Sequence, residues 1–122
     1  MQPKTPGLLW DILTAARFVL EHTSAISLAE YEENLLLRSA IERQLEIVGE
    51  ASRRLARIDA DTAAAIPDLP RIIAFRNVLA HAYDVIDNAR VWEIITEYLP
   101  QLAAQVESLL DTDTSDSALA PH

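Results

Sequence analysis

Hydrophobic residues recur along most of the chain at three- and four-residue spacings, the period of an α-helix. The first helix predicted by this pattern spans residues 6–22. The second is long, from Leu28 to Ile58. Ser27, just before it, and Glu30, in its first turn, have the spacing of a capping box. We find no internal repeat and no strand-like alternation, so the pattern predicts helices joined by short connections.

The second half of the chain contains two further predicted helices. The break DADTAAAIPDLP holds one short helical turn at residues 61–65. Helix three then spans residues 69–82, where Asp68 can cap it and Pro70 can occupy its first turn. Helix four spans residues 89–110, and Pro100 inside it should kink or interrupt it. The acid or amide before it, Asp87 or Asn88, is its predicted cap.

These elements predict an all-α fold, an antiparallel four-helix-type bundle with a short extra helical turn. The bundle is expected to occupy residues 1–110. Residues 111–122, DTDTSDSALAPH, lack large apolar side chains apart from one Leu and carry three aspartates. Such a composition predicts an acidic disordered tail.

The long second helix has an apolar face and a polar stripe. Its apolar side chains share one half of the helical wheel, namely Leu36, Leu37, Ile41, Leu45, Ile47, Val48, Ala51 and Leu55. The stripe contains Arg38, Glu42, Glu46, Gly49 and Arg53. One interpretation is a solvated face with spaced ion pairs. The other rests on Gly49, since glycine inside a helix costs about 1 kcal/mol against alanine and often marks close approach of another backbone. Glu42, Glu46 and Gly49 are therefore candidate interface residues.

Composition narrows the classes of function. The net charge of −9 argues against a general nucleic-acid binder, because counterion release requires clustered cations. The cations are nine Arg and one Lys, which allows a local phosphate site, since arginine suits bidentate phosphate contacts. The absence of Cys excludes disulfides, thiolate metal ligands and Cys nucleophiles. We find neither an apolar run long enough for a membrane span nor a signal peptide, which fits a cytoplasmic protein.

The stretch RNVLAHAYD, residues 76–84, gathers the polar side chains that could form a site. His81 is the only plausible acid-base histidine, because His22 ends the first helix and His122 is terminal. Each residue also has an ordinary structural interpretation. Asn77 could bond to local backbone and Tyr83 could lie at the edge of the core.

The geometry of this stretch leaves two arrangements open. Arg76 and Tyr83 are seven residues apart and share a helix face. Arg76 and His81 are separated by about 140° around an ideal helix. The two cannot both point straight at one small ligand from an unbroken helix. Either the helix ends near Ala80, or a second copy of the chain completes the site.

The sequence RNVLAHAY has the form Arg-x4-His-x-Tyr and resembles the motif of the HEPN superfamily, in its HepT-like toxin branch. A second segment, SAIERQLEIVGEASRRL at residues 39–55, is similar to helix two of that branch. The spacing to IPDLPRIIAFRNVLAHAYDVID and to VWEIITEYLPQL also fits. The resemblance covers roughly residues 8–110, without an insertion.

The resemblance implies a toxin of a toxin–antitoxin system, a homodimeric endoribonuclease that uses neither a metal nor another cofactor. The active residues of the family correspond to Arg76 and His81, and Asn77 matches its supporting position. Tyr83 corresponds to the tyrosine that a partner minimal nucleotidyltransferase antitoxin modifies with AMP. Glu42, Glu46 and Glu50 are helix-spaced carboxylates without a convincing histidine partner, so no metal site is expected.

The chemistry of RNA cleavage is consistent with these residues. The RNA supplies its own nucleophile, the 2′-OH, and histidines can remove and donate the two protons involved. Since one chain has one suitable histidine, a twofold dimer would supply the second. Two alternatives stay open. The chain could be a non-catalytic binding module that docks a nucleotidyltransferase or binds nucleotide, or residues 76–84 could serve only in interface packing.

Overall fold

Helix α1 (Thr5–Thr23) contacts both α3 (Leu35–Ile58) and α7 (Leu99–Leu119), and α3 also packs against α5 (Leu69–Ala80). This computed structural model describes residues 1–80 and 86–119, with side chains to residue 113. All regular structure in those ranges is helical, which confirms the predicted all-α fold. None of the helices described there is long and apolar enough to cross a membrane.

Shorter elements join the long helices. They are α2 (Leu28–Glu33), α4 (Ala60–Ala64), α6 (Asn88–Glu93) and a π-helical segment (Ile94–Tyr98) that leads into α7. Their apolar side chains and those of the long helices form one core. The largest fully buried side chains are Tyr31, Leu9, Ile12, Leu13, Ile41, Leu55, Ile66, Leu69, Leu99, Leu102, Val19 and Val48. Burial of this apolar surface is the main favourable term in folding.

The prediction of one long helix from Leu28 to Ile58 is wrong in one respect, because the segment forms two helices that are separated at Asn34. The backbone of Asn34 is extended, with φ −111° and ψ 91°. Its side-chain oxygen accepts a hydrogen bond from the Leu37 N–H at 3.0 Å, which caps α3. The predicted capping box of Ser27 and Glu30 is present at the start of α2. Asn34 thus ends one helix and starts the next.

The break at Asn34 also alters the expected apolar face. Leu36, which the helical wheel placed with the core residues, is 83% exposed. Leu37 and Ile47 are partly buried, and the remaining members of that face are buried. Leu36 lies in the first turn of α3, directly after the break at Asn34, and its side chain faces solvent although the wheel placed it with the core residues.

Pro100 interrupts the last helix as predicted, and the interruption is a π-helical turn. The Leu99 N–H donates to the carbonyl of Ile94, five residues earlier. The wider turn therefore lies directly before Pro100, which has no N–H to donate to a helical hydrogen bond. The predicted cap Asp87 accepts from the N–H groups of Ala89 and Arg90.

The expected end of the last helix at Leu110 is wrong, because α7 continues to Leu119. Most of the segment predicted as an acidic tail therefore lies in the helix. The division of the chain into a domain at 1–110 and a tail at 111–122 stays a prediction.

Asp59, at the junction of α3 and α4, forms hydrogen bonds with residues at the N-terminal end of α1. Its carboxylate accepts from the Gln2 N–H at 3.1 Å and from the hydroxyls of Thr5 and Thr62, each at 2.8 Å. The hydrogen bond from the Gln2 backbone is the largest of the contributions that hold the pKa of Asp59 well below its usual range. The start of α1 is thereby held against the end of α3.

Candidate functional site

Helix α5 crosses α3 at Gly49, and Arg76 is the residue of α5 that lies against it. A Cβ on Gly49 would stand 2.5 Å from Cγ of Arg76 and closer still to its Cβ. Real side chains do not approach this closely, so the crossing requires glycine at position 49. Gly49 is buried within the chain by α5. Because residue 49 has no side chain, Cβ and Cγ of Arg76 can occupy the space next to it.

Glu50, the next residue of α3, contacts three arginines. Its carboxylate oxygens lie 2.9 Å from Nη2 of Arg53, 3.2 Å from Nε of Arg54 and 3.5 Å from Nη2 of Arg76. The hydrogen bond from Arg53 is the largest contribution that lowers the pKa of Glu50 to about 2, with further contributions from Arg54 and Arg76. Glu50 is therefore ionised at neutral pH. One carboxylate with three guanidinium groups leaves this cluster with a surplus of two positive charges.

Asn77 lies beside Arg76 near the described end of α5. Its side-chain oxygen accepts a long hydrogen bond from Nη1 of Arg76, at 3.5 Å. Asn77 is exposed, and the side chain of Arg76 is 30% exposed. The guanidinium therefore has access to solvent while Gly49, Glu50 and Asn77 restrain it. This arrangement offers a positioned cation to an anionic group.

Arg76 opens onto a recess of about 230 Å³ between α1, α3 and α5. The lining residues are Leu8, Asp11, Arg43, Glu46, Ile47, Glu50, Ala51, Arg54 and Arg76. Glu46 takes part in this recess and lies 3.4 Å from Nη1 of Arg43. Arginine and carboxylate side chains therefore form much of the lining of the recess beside Arg76.

Glu42 does not line this recess. It is partly buried in α3. Burial is the largest contribution to the raised pKa of Glu42, and the nearby Glu46 carboxylate raises it further, while Arg38 opposes the change. Of the three candidate interface residues on the stripe, Gly49 contacts Arg76, Glu46 lines its recess, and Glu42 does neither.

Two of the predicted site residues, His81 and Tyr83, lie outside the described residues. Their roles and their relation to Arg76 stay predictions. The sequence analysis did not include Glu50 among the site residues, although the structure joins it to Arg76. A signal was present, because Arg53 and Arg54 follow Glu50 by three and four residues, the spacings at which helical side chains meet.

Comparison with known proteins agrees with this architecture. The family model described as ribonuclease HepT-like matches residues 12–109. A protein of Methanocaldococcus jannaschii, provisionally named an RNase, is 39% identical over 103 residues, which cover 83% of this chain and 92% of that protein. A second provisionally named RNase, from Caldanaerobacter subterraneus subsp. tengcongensis, is 31% identical over 90% of this chain and 98% of its own length.

A further relative, from Thermococcus cleftensis, carries the provisional name ribonuclease HepT. It is 30% identical over 103 residues, which cover 83% of this chain and 91% of that protein. No solved structure gave a significant match. The family model covers most of the bundle, from within α1 to within α7, and includes the crossing of Gly49 and Arg76. The chain therefore belongs to the HepT-like family of the HEPN superfamily.

Proposed function

We propose that this chain is the toxin of a toxin–antitoxin system, a metal-independent endoribonuclease that acts as a homodimer in the cytoplasm. The observation that carries the proposal is the restrained, solvent-accessible guanidinium of Arg76, joined to Glu50 and placed at a recess. It occurs in a family whose members include proteins named as RNases. Arg76 and His81 are the proposed active residues, and Asn77 supports Arg76.

Cleavage would proceed by transfer within the RNA. The 2′-OH oxygen forms a bond to phosphorus, and its proton passes to a neutral His81. The bond from phosphorus to the 5′-oxygen breaks, and a protonated His81 of the second chain gives that oxygen a proton. Arg76 stabilises the additional negative charge on phosphorus in the transition state. The products are a 2′,3′-cyclic phosphate and a 5′-hydroxyl end.

The proposed regulator is a minimal nucleotidyltransferase antitoxin that transfers AMP to Tyr83. The family motif supports this assignment, because Tyr83 holds its tyrosine position two residues after His81. The physical effect follows from charge and bulk. An AMP group brings a phosphate that Arg76 could bind, and that phosphate would repel the backbone of an RNA substrate.

An alternative function is a non-catalytic module that docks a nucleotidyltransferase or binds nucleotide. The acidic composition of the chain favours the docking role, since a net charge of −9 opposes the binding of a polyanion such as RNA. In that case Arg76 would hold a nucleotide phosphate without bond cleavage. The two functions differ in whether His81 is required for a chemical step.

Expression of the wild-type chain and of His81→Ala in a host that lacks the antitoxin tests the proposal. We expect growth arrest and cleaved total RNA with the wild type only, and 2′,3′-cyclic phosphates at the new ends. Size-exclusion chromatography should show that the His81→Ala chain is folded and has the oligomeric state of the wild type. Cleaved RNA with 3′-hydroxyl ends would exclude this mechanism. Intact RNA with soluble wild-type protein would favour the binding module.

A further inference from the structure

The recess at Arg76 lies next to a larger recess along α1 and α3. The second recess, about 840 Å³, lies between the start of α1 and the end of α3. Both recesses have Leu8, Asp11 and Arg54 in their linings, so they lie side by side along one surface of α1 and α3. We name it the α1/α3 groove. The α1/α3 groove extends from Arg76, a candidate active residue, to the start of α1 and the end of α3.

The groove carries a local charge opposite to that of the chain. Five of the ten cationic residues of the chain line it, namely Lys4, Arg43, Arg54, Arg57 and Arg76. The acidic side chains of its lining are Asp11, Glu46 and Glu50, which leaves a surplus of two positive charges. In a chain of net charge −9, the groove is therefore a surface where a polyanion would meet attraction rather than repulsion from the lining residues.

The cations of α3 form a line that runs along the groove. Arg43, Arg54 and Arg57 lie within about 60° of one another around the helix. From Arg43 to Arg57 the line extends about 21 Å along the axis, at 1.5 Å per residue. A single line of cations beside a channel suits one flexible phosphate backbone, whereas a duplex presents two backbones and needs a broader surface.

The other lining residues suit the same ligand. Leu8, Ile47 and Ile58 supply apolar contacts between the charged positions, where sugars or bases can lie. Arg54 belongs to the Glu50 cluster and also lines both recesses. Through Arg54, the cationic line therefore reaches the group that holds Arg76.

We propose that the α1/α3 groove binds the phosphate backbone of single-stranded RNA on one side of the cleavage point and leads it to Arg76. The inference rests on the proposed ribonuclease function, because it takes Arg76 as the point at which RNA is cut. Lys4 and Arg57, at the far end, bind phosphates remote from the reacting group. Their contacts hold the substrate and take no part in bond cleavage.

The test uses the full chain and the variant Lys4→Gln/Arg57→Gln. Both residues are exposed, and neither contacts Glu50 or Arg76 directly, so the fold and the active residue should be retained. Binding is measured by fluorescence anisotropy with a labelled single-stranded RNA that carries 2′-O-methyl groups and cannot be cut through its 2′-oxygen. The matched control is Arg17→Gln/Arg90→Gln, which removes two exposed cations outside the groove.

We expect the groove variant to bind roughly tenfold more weakly and its salt dependence, log K against log salt, to lose about 1.4 from the slope. The control should lose much less. With cleavable RNA, the groove variant should raise KM with little change in kcat, because it removes contacts that substrate and transition state share.

The outcomes separate this inference from the proposed function. Cleavage by the wild type together with unchanged KM and salt slope in the groove variant would overturn the groove and leave the ribonuclease in place. Weakened binding in the groove variant without cleavage by any form would support the binding of RNA in the groove and contradict the ribonuclease. Equal losses in the groove variant and the control would overturn the groove, as would a wild-type chain that does not bind the RNA.

Discussion

Gly49 and Arg76 meet where α3 and α5 cross, and the base of the arginine side chain occupies the space that a Cβ on residue 49 would need. The two helices can approach this closely only because residue 49 is glycine. The adjacent Glu50 then binds the other end of the same arginine, 3.5 Å from its Nη2. Two neighbouring residues of α3, Gly49 and Glu50, thus determine the positions of the Cβ–Cγ segment and of the guanidinium group of Arg76.

The substitution Gly49→Ala should destabilise the fold and reduce RNA cleavage. The new methyl group would displace Arg76 or α5, and overpacking of this kind costs about 1–3 kcal/mol. Alanine recovers about 1 kcal/mol through its higher helix propensity, which leaves an expected net loss of up to about 2 kcal/mol. Urea denaturation gives the free energy of unfolding, and cleavage of a labelled RNA gives the activity.

Gly7→Ala is the matched control for the stability part of this prediction. Gly7 also lies in a helix, but among the described residues no atom outside the local helix backbone and the two adjacent residues lies within 4 Å of the Cβ that alanine would add. This variant should therefore gain about 0.4–1 kcal/mol in the free energy of unfolding. A Gly49→Ala chain that was at least as stable as Gly7→Ala would show that the crossing can open without cost.

Local signals in the sequence sufficed for much of the fold, because each arises from residues close together in the chain. The helical period located α1, α3, α5 and the last helix, and the capping box of Ser27 and Glu30 located the start of α2. The break at Asn34 was not predicted, because the apolar period continues across it and asparagine is tolerated inside helices. Its role became visible only through its bond to the Leu37 N–H.

The site was predictable only in part, for a related reason. The motif supplied Arg76 and Asn77 as candidate site residues, and Gly49 indicated a close approach of another segment. That the approaching segment is α5 depends on the tertiary packing of helices that are distant in sequence. Glu50 was missed for the same reason, since its contact with Arg76 joins two helices. A helical wheel describes one helix and cannot show such a contact.

Arg76→Lys should lose most of the RNA cleavage while the fold is retained. Lysine keeps the aliphatic carbons that pack on Gly49 but lacks the planar guanidinium that can bind two phosphate oxygens. Loss of one such transition-state contact costs roughly 10²–10³ in kcat. Single-turnover cleavage gives the rate, and Arg90→Lys, outside the site on α6, is the control. An Arg76→Lys chain with wild-type kcat would remove Arg76 from the chemical step.

Glu50→Gln should change the dependence of stability on pH. The pKa of Glu50 is lowered from 4.5 to about 2 in the folded chain, so its ionised form contributes stability above about pH 4.5. That contribution is lost as the pH falls toward 2, because the protonated acid then resembles glutamine. The difference in the free energy of unfolding between wild type and Glu50→Gln should therefore be constant near neutral pH and shrink in acid.

Urea denaturation of both chains across this pH range measures the effect. The control is Glu107→Gln, which removes a carboxylate that is 53% exposed and pairs with Arg17 alone among the described side chains. Exposed pairs contribute less than about 1 kcal/mol, so this variant should differ little from wild type. A difference for Glu50→Gln that stays the same from neutral pH to pH 2 would contradict the lowered pKa.

Tyr83→Phe should leave RNA cleavage close to that of the wild type and abolish neutralisation by the AMP-transferring partner. Phenylalanine keeps the ring and removes the oxygen that would accept AMP. Coexpression with a minimal nucleotidyltransferase should rescue growth of cells with the wild-type toxin only. Intact-mass spectrometry should show one added AMP on the wild type and none on Tyr83→Phe. Full rescue of the Tyr83→Phe chain would exclude modification of this residue as the means of neutralisation.

A mixed dimer of one wild-type chain and one His81→Ala chain tests whether both histidines serve one site. Two different affinity tags allow its purification away from either homodimer. If one histidine removes the 2′-OH proton and the other protonates the 5′-oxygen, the mixed dimer lacks one of the two functions. Its rate should then fall by roughly 10²–10⁴, the usual contribution of a general acid or base.

Two independent sites would give a different result, because the intact site of the mixed dimer would retain about half of the activity. The control is a mixed dimer of wild type and Arg90→Gln, prepared with the same tags, which should match the wild type. Exchange of chains during the assay would regenerate wild-type dimers and imitate independent sites. The tags must therefore be shown to remain paired at the end of the reaction. Half activity in a dimer that has not exchanged would mean that each chain cuts RNA with its own His81.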